Sequence, residues 1–321
     1  MVTLPLGLRA NDGGIMLAWV GCAYSVVHNH RYRPIPAPAR VPPSFPRIMA
    51  TGEHPYALRH FSTLEDYEAC MTLQEDTWGH GFAERVPGAI LRVSQKIGGV
   101  AAGAFDDSGR LVGFVFGMTG IQLGALVHWS DMLAVRPEAR GSGVAAALKH
   151  FQRQTVQQLG VPLMIWTADP LVARNAHFNI NHLGAVPTEY VENMYGSNTG
   201  SVLHGTMPTD RAVYHWQLDH AAAFMKRSGL PEDGDTRLAV AIAFEPDGTP
   251  VAVGTGDAPH VRIPVPVDVG EVQAADASRA LAWRIAVRAA LMTRMQRGYT
   301  VSRFVRNQPS ALPYYVVSVT G

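Results

Sequence analysis

Residues 133–145 read Leu-Ala-Val-Arg-Pro-Glu-Ala-Arg-Gly-Ser-Gly-Val-Ala. An apolar strand ends at Val135, Pro137 fixes a turn, and Arg140-Gly141-Ser142-Gly143 opens a helix. Small residues at a strand-to-helix junction leave backbone N–H groups bare, and the helix N-terminus behind them adds positive potential. The stretch therefore predicts a phosphate cradle, with Arg140 as a fixed charge at its rim. No Gly-Lys-Ser/Thr follows, which excludes a Walker loop. A dinucleotide fingerprint needs an acidic residue ending a next strand about 20 residues on, and none is there. The triplet Gly254-Thr255-Gly256 runs into Pro-rich sequence and opens no helix.

The periodicity on both sides of the junction predicts alternating elements. Upstream come a strand over 57–62 and a helix capped by Ser62 or Thr63, with Leu64, Tyr67, Cys70 and Met71 at helical spacing and Gly79 as its stop. A helix over 87–97 ends at Gly98-Gly99, and strands 100–105 and 111–118 flank the turn Asp106-Asp107-Ser108-Gly109. Strand 128–135 leads into the cradle. The helix after it carries Val144, Ala147, Leu148, Phe151 and Leu159 on one face and Lys149, Arg153, Gln154 and Gln157 on another. Strand 163–167, a helix begun by Asp169-Pro170 and closed by Gly184, and extended chain over 185–191 follow.

The ends of the chain read differently. Residues 1–48 hold an apolar run, 15–27, too short to span a bilayer, then a Pro-rich stretch, 34–46. This is read as a leader that is disordered or not part of the native chain, with Met49 as an alternative start. The first domain is expected over 49–205. Residues 206–321 are expected to add a strand (212–218) that completes its sheet and to build a smaller α+β subdomain. That subdomain would comprise strands 237–244 and 261–267, a helix over 274–297 and a hairpin of 299–305 with 314–319. Leu281, Ile285, Arg288 and Met292 stand at helical spacing. Trp283, Arg284, Arg288, Arg294 and Arg297 suggest a solvated basic face or a partner surface, and with it a homodimer.

The 321 residues are 47% apolar and 17% charged, a globular composition with a formal net charge of +1. That charge argues against general nucleic-acid binding, and no stretch is long enough for a membrane helix. Cys22 and Cys70 give neither a disulfide framework nor a metal-ligand spacing, so a cytoplasmic, reducing compartment and no metal are expected.

The spacing Arg140-x-x-Gly143-x-Ala145 resembles the pyrophosphate-binding motif of the GNAT superfamily of acyl-CoA N-acyltransferases. The order of elements over 57–195 is similar to that fold. A further likeness, to a family of predicted acetyltransferases with a C-terminal extension, rests on His128-Trp129-Ser130, Met132-Leu133-Ala134-Val135, Trp166-Thr167, Asp169-Pro170-Leu171, residues 174–179, Leu183-Gly184-Ala185, Tyr195-Gly196 and Pro208-Thr209-Asp210-Arg211. The resemblance implies a mixed α/β fold with acetyl-CoA or another short acyl-CoA as cosubstrate. The coenzyme would lie along Leu133, Ala134, Val135, Arg140, Gly141, Ser142, Gly143, Val144 and Ala145, with Asn175 touching its arm. It also implies acetyl or succinyl transfer to a small amine or amino acid.

Direct transfer needs a free amine, hence a base, and donors for the oxyanion, which backbone N–H groups of a splayed strand near 132–134 can supply. Asp131 and His128 are the candidate bases. Three residues apart, they face opposite sides of a regular strand unless a bulge intervenes. The resemblance places a proton-donating Tyr at the position of Ile180, so Tyr195, and after it Tyr190 or His177, are candidates for that role. Glu75, Asp76 and Trp78 fall in the region that would frame the acceptor. Arg211 either binds a substrate carboxylate or pairs with Asp210. The missing Tyr favours an alternative, an acyl-CoA-binding sensor or interaction protein without turnover.

Overall fold

A computed structural model describes residues 55–196, 199–203, 205, 207–218, 238–306 and 311–319. The leader 1–48, with Cys22, and the start at Met49 lie outside the described residues, as do Arg237 and residue 206. Thr63 caps the first helix: its hydroxyl accepts the Asp66 N–H at 3.3 Å while the Asp66 carboxylate accepts the Thr63 N–H at 3.2 Å. Ser62 serves the same carboxylate through its own N–H at 2.8 Å.

Strands β1 (Ala57–His60), β2 (Val100–Phe105), β3 (Leu111–Gln122), β4 (Ala125–Val135), β5 (Leu163–Ala168), β6 (Val186–Val191) and β7 (Arg211–Gln217) form one mixed sheet in the order β1-β2-β3-β4-β5-β7-β6. The expected sheet-completing strand is thus β7, inserted between β5 and β6. Helices α1 (Leu64–Trp78) and α2 (Gly88–Lys96) bury Tyr67, Cys70, Leu73 and Leu91 against one face of the sheet. Helix α3 (Val144–Gln157) buries Ala147, Leu148 and Phe151 against the other. β3 and β4 run longer than expected because Leu123 (φ 52°) and Gly124 (φ 81°) close them as a tight hairpin with two left-handed residues. Two expectations for α3 fail: Leu159 lies past its end and is exposed, while Lys149 is buried.

A bulge in β4 turns the second half of the strand over. Phe116 pairs with Met132 and Gly117 with Ser130, so Asp131 is the extra residue. Before it, His128 and Ser130 face α3; after it, Met132 and Ala134 face the core of α1 and α2. Gly117 supplies the space for this crossing. A Cβ there would lie 2.3 Å from His128 Nε2 and 2.6 Å from the Trp129 carbonyl oxygen. Gly117→Ala is therefore expected to cost about 1–3 kcal/mol, measured as a lowered urea midpoint.

The segment between β5 and β6 departs from expectation. Asp169 does not cap a helix; its carboxylate takes the Leu171 N–H at 2.8 Å, and α4 (Ala173–His177) begins after Val172, continuing as a π-turn over Phe178–His182.

In the C-terminal part, β11 (His260–Pro264), β12 (Tyr299–Val305) and β13 (Tyr314–Val319) join β8 (Ala239–Val240) in the order β12-β13-β11-β8, with the expected β12–β13 hairpin. The single strand expected over 237–244 is two. Ala241 turns the chain from β8 into β9 (Ile242–Phe244), which pairs with β10 (Pro250–Ala252). The long helix is also two, α5 (Val269–Ala275) and α6 (Ala277–Gln296), split at extended Asp276, whose carboxylate caps α6 through the N–H groups of Ser278 and Arg279. Helix α6 is turned opposite to the expected way. Leu281 and Ile285 are exposed, whereas Trp283, Arg284, Val287, Leu291 and Arg294 are buried, so most of the supposed basic face points inward. One apolar core runs from Leu148 and Trp166 through Tyr214 to Ile263, Trp283 and Tyr315, and the Tyr315 hydroxyl donates to the Pro170 carbonyl at 2.8 Å. Among the described residues no helix is long and apolar enough to cross a membrane.

Candidate functional site

β4 and β5 pair, in parallel, only through Val127, His128 and Trp129 with Leu163, Met164 and Ile165. β4 continues to Val135 and β5 to Ala168, but no ladder joins them there. The two strands splay, and the backbone of β4 past the bulge faces a cavity of about 560 Å³ instead of a neighbour. Asp131, Met132 and Leu133 line it from β4, Trp166 and Thr167 from β5, and Asn175 from α4. Trp78, Glu84, Tyr195 and Arg211 close one side; residues 267–270 and Arg306 of the C-terminal part close another.

The cradle sits at the start of α3, outside the cavity wall. Gly141 (φ 80°) and Gly143 (φ 84°) are left-handed, and the space a Cβ would fill at Gly141 is open. Gly143 is the N-cap and no side chain caps the helix, so its first N–H groups remain for an anion. Arg140 is exposed, its Nε donating to the Val135 carbonyl at 3.2 Å. Ser142 donates its hydroxyl to Ala139 O at 2.7 Å. The side chains of Ala134 and Val144 belong to the two cores, which leaves only their backbone for a ligand.

Of the candidate bases, Asp131 faces the cavity and His128 does not. His128 is fully buried beneath α3 with both ring nitrogens engaged, which removes it from the site. Asp131 keeps an exposed surface toward the cavity, and desolvation by the surrounding wall raises its carboxyl above its ordinary value, against the Trp129 Nε1–H donated to it at 3.2 Å. Glu84 is also raised, by burial and then by the Asp131 charge, with Arg211 opposing. Two carboxylates and a guanidinium therefore share one wall. Tyr195 joins them, its hydroxyl 3.1 Å from Thr167 Oγ1 and its ring 5.2 Å from the Arg211 guanidinium. Burial raises its pKa.

The other candidates are engaged elsewhere. Ile180 is a core residue. Tyr190 donates to Asp210 Oδ2 at 2.6 Å, and His177 Nδ1 meets the Asn181 amide at 3.1 Å, both outside the cavity wall. Glu75 pairs with Arg85 and Asp76 with Arg136, also outside it. The Asp210–Arg211 ion pair does not form: Arg288 holds Asp210 at 2.8 and 2.9 Å, and Arg211 donates instead to the Asp210 backbone carbonyl at 3.0 Å.

A polar chain runs under the bulge. Thr119 gives its hydroxyl proton to Gly98 O at 2.6 Å, so it accepts from His128 Nδ1 at 2.9 Å. His128 Nε2 then accepts from the Gln152 amide at 3.0 Å, and Gln152 Oε1 accepts from Ser130 Oγ at 2.8 Å. Ser130 in turn accepts from Lys149 Nζ at 2.8 Å. His128 is consistent with the neutral tautomer this needs, because burial and then Lys149 lower it to about 3. Glu84 and Lys149 escape sequence reasoning. Glu84 stands in an aperiodic loop, and the spacing of Lys149 on α3 assigns it to the polar face.

No family model matches the chain, and neither does any curated protein. Among solved structures the chain is similar over about half its length to GNAT acetyltransferases. A phosphinothricin acetyltransferase of Sinorhizobium meliloti in complex with acetyl-CoA is 17% identical and covers 56% of this chain and 95% of its own, with a TM-score of 0.42. A putative acetyltransferase of Salmonella typhimurium with its cofactor acetyl-CoA is 18% identical over 52% of this chain and 96% of its own, TM-score 0.41. The NatC complex bound to Gag peptide and CoA gives 14% identity, 51% and 98% coverage and a TM-score of 0.41.

Proposed function

We propose that this protein is an acyl-CoA-dependent N-acyltransferase that passes the acyl group directly to a small cationic amine or amino acid. One observation carries the reading: the gap between β4 and β5 lies beside the uncapped N-terminus of α3. An elongated ligand with a diphosphate at one end and a reactive group at the other fits such a pair of features. The diphosphate takes the N–H groups at 141–145 with Arg140 at the rim; the arm lies along the unpaired edge of β4 toward Asn175. Asp131 and Glu84 attract the ammonium of the acceptor, and Asp131 takes its proton. Tyr195 holds a proton at its hydroxyl for the departing thiolate. Arg211 stands where it can receive a carboxylate of the acceptor.

Calorimetric titration with acetyl-CoA tests the cradle. Arg140→Ala with Gly143→Asp removes a charge and puts a carboxylate where the diphosphate would lie. Saturable binding to wild type is expected, weakened about 100-fold or more in the double variant, the worth of two lost charge-assisted hydrogen bonds. Equal binding to both proteins would refute the assignment.

A further inference from the structure

Lys149 is 2% exposed, yet it lines the cavity at the floor of the gap between β4 and β5. Its contacts are few and mostly neutral. Ser130 Oγ accepts from Nζ at 2.8 Å, Met164 Sδ lies at 3.8 Å, and the Trp166 ring centroid is 3.7 Å away. Among the described residues no carboxylate pairs with it, although on α6 the buried Arg284 holds Asp169 and the half-buried Arg288 holds both Asp210 and Glu192. The direction of the hydrogen-bond chain adds a constraint. Ser130 spends its own proton on Gln152, so it can only accept from Lys149, and Nζ is held as a donor. The ring face of Trp166 favours the charged form. Burial works against it and draws the group down to about 7. A buried ammonium with one hydroxyl and one aromatic face is incompletely compensated, and a ligand anion would complete it.

We infer that Lys149 is the counter-ion for the acyl group, so that this site selects an acyl-CoA whose acyl chain ends in a carboxylate over acetyl-CoA. The inference rests on the acyltransferase reading, since it is the thioester end of the coenzyme that would enter the gap. An acetyl methyl against Nζ gains nothing electrostatic and leaves the buried ammonium incompletely compensated. A terminal carboxylate one to two methylenes further on forms a paired, hydrogen-bonded contact in a low-dielectric setting.

The test is the ratio of affinities within each protein, measured by calorimetry with CoA, acetyl-CoA, malonyl-CoA and succinyl-CoA. Wild type is expected to bind malonyl-CoA or succinyl-CoA at least tenfold more tightly than acetyl-CoA. Lys149→Met keeps an unbranched chain of similar length without the charge, and the preference should collapse to about unity. Ser130→Ala keeps the charge and should keep the preference. CoA reports on the cradle alone. If CoA binds and wild type shows no preference, this inference is overturned while the coenzyme site stands; the wild-type ratio decides this even if a variant misfolds. If neither CoA nor any thioester binds, both readings fall.

Discussion

Arg284→Met is expected to lower the unfolding free energy by about 3–5 kcal/mol, read from the urea midpoint at unchanged slope. Arg284 reaches from α6 into the seam between the two parts and holds Asp169 with both terminal nitrogens, at 2.6 and 2.7 Å. Without it Asp169 keeps the Leu171 N–H and loses its bidentate partner. Burial by itself would raise this carboxyl, but the charge and hydrogen bonds of Arg284, joined by the Leu171 N–H and the Arg211 charge, together hold it below its ordinary value. A depressed carboxylate contributes stability above its unfolded pKa and loses it as pH falls through the folded one. In the variant burial dominates, and the folded state binds the proton more readily than the unfolded chain. The deficit is therefore largest near neutral pH and narrows as acid protonates Asp169. Adding Asp169→Asn to Arg284→Met should recover part of the loss, because no charge is then left unpaired. A single variant within about 0.5 kcal/mol of wild type at pH 7 would place this pair among inert surface contacts.

Asp131→Asn is expected to reduce kcat by about 10²–10⁴-fold with little change in the affinity for acetyl-CoA. The readout is thiol release from acetyl-CoA and from succinyl-CoA with a panel of amino acids and polyamines as acceptors. A base must be deprotonated to act, so kcat/KM rises with pH through the pKa of Asp131. Because desolvation raises that carboxyl, the rise should lie at higher pH than an ordinary aspartate would give. Glu84→Gln removes a like charge and should move the limb toward lower pH, whereas Asp131→Asn should abolish it. An unchanged acid limb in Asp131→Asn would assign the proton to another group.

The junction at 133–145 carries most of what is legible in this sequence. Strand, turn, small residues and helix are local features, and the structure reproduces them as β4, the left-handed Gly141 and Gly143, and α3. Elements bounded by Gly, such as α1 before Gly79 and β2 after Gly99, are legible for the same reason. The misreadings share a cause. Lys149, Arg284 and Arg294 are charged residues that helical spacing places on a polar face or, for the two arginines, on a solvated or partner-binding one, yet each is buried. What buries them is chain remote in sequence: β4 and β5 for Lys149, Asp169 and the Thr255 hydroxyl for the arginines. Asp276 breaks a helix at a residue that periodicity reads through. The bulge at Asp131 depends on how β3 and β4 register, and only their pairing reveals which face each candidate base takes.

The place of β7 has a consequence for synthesis. β5 and β6 are complete by Val191, but the strand that separates them begins at Arg211. As the chain leaves the ribosome, β5 and β6 wait with open edges, and the sheet closes only once β7 has emerged. The cavity wall waits longer still, since Arg306 is made well after β7. Newly made protein therefore passes through a stage with an unfinished pocket and exposed strand edges. Pausing translation before Arg211 should yield chains that aggregate, whereas release after β13 yields folded protein.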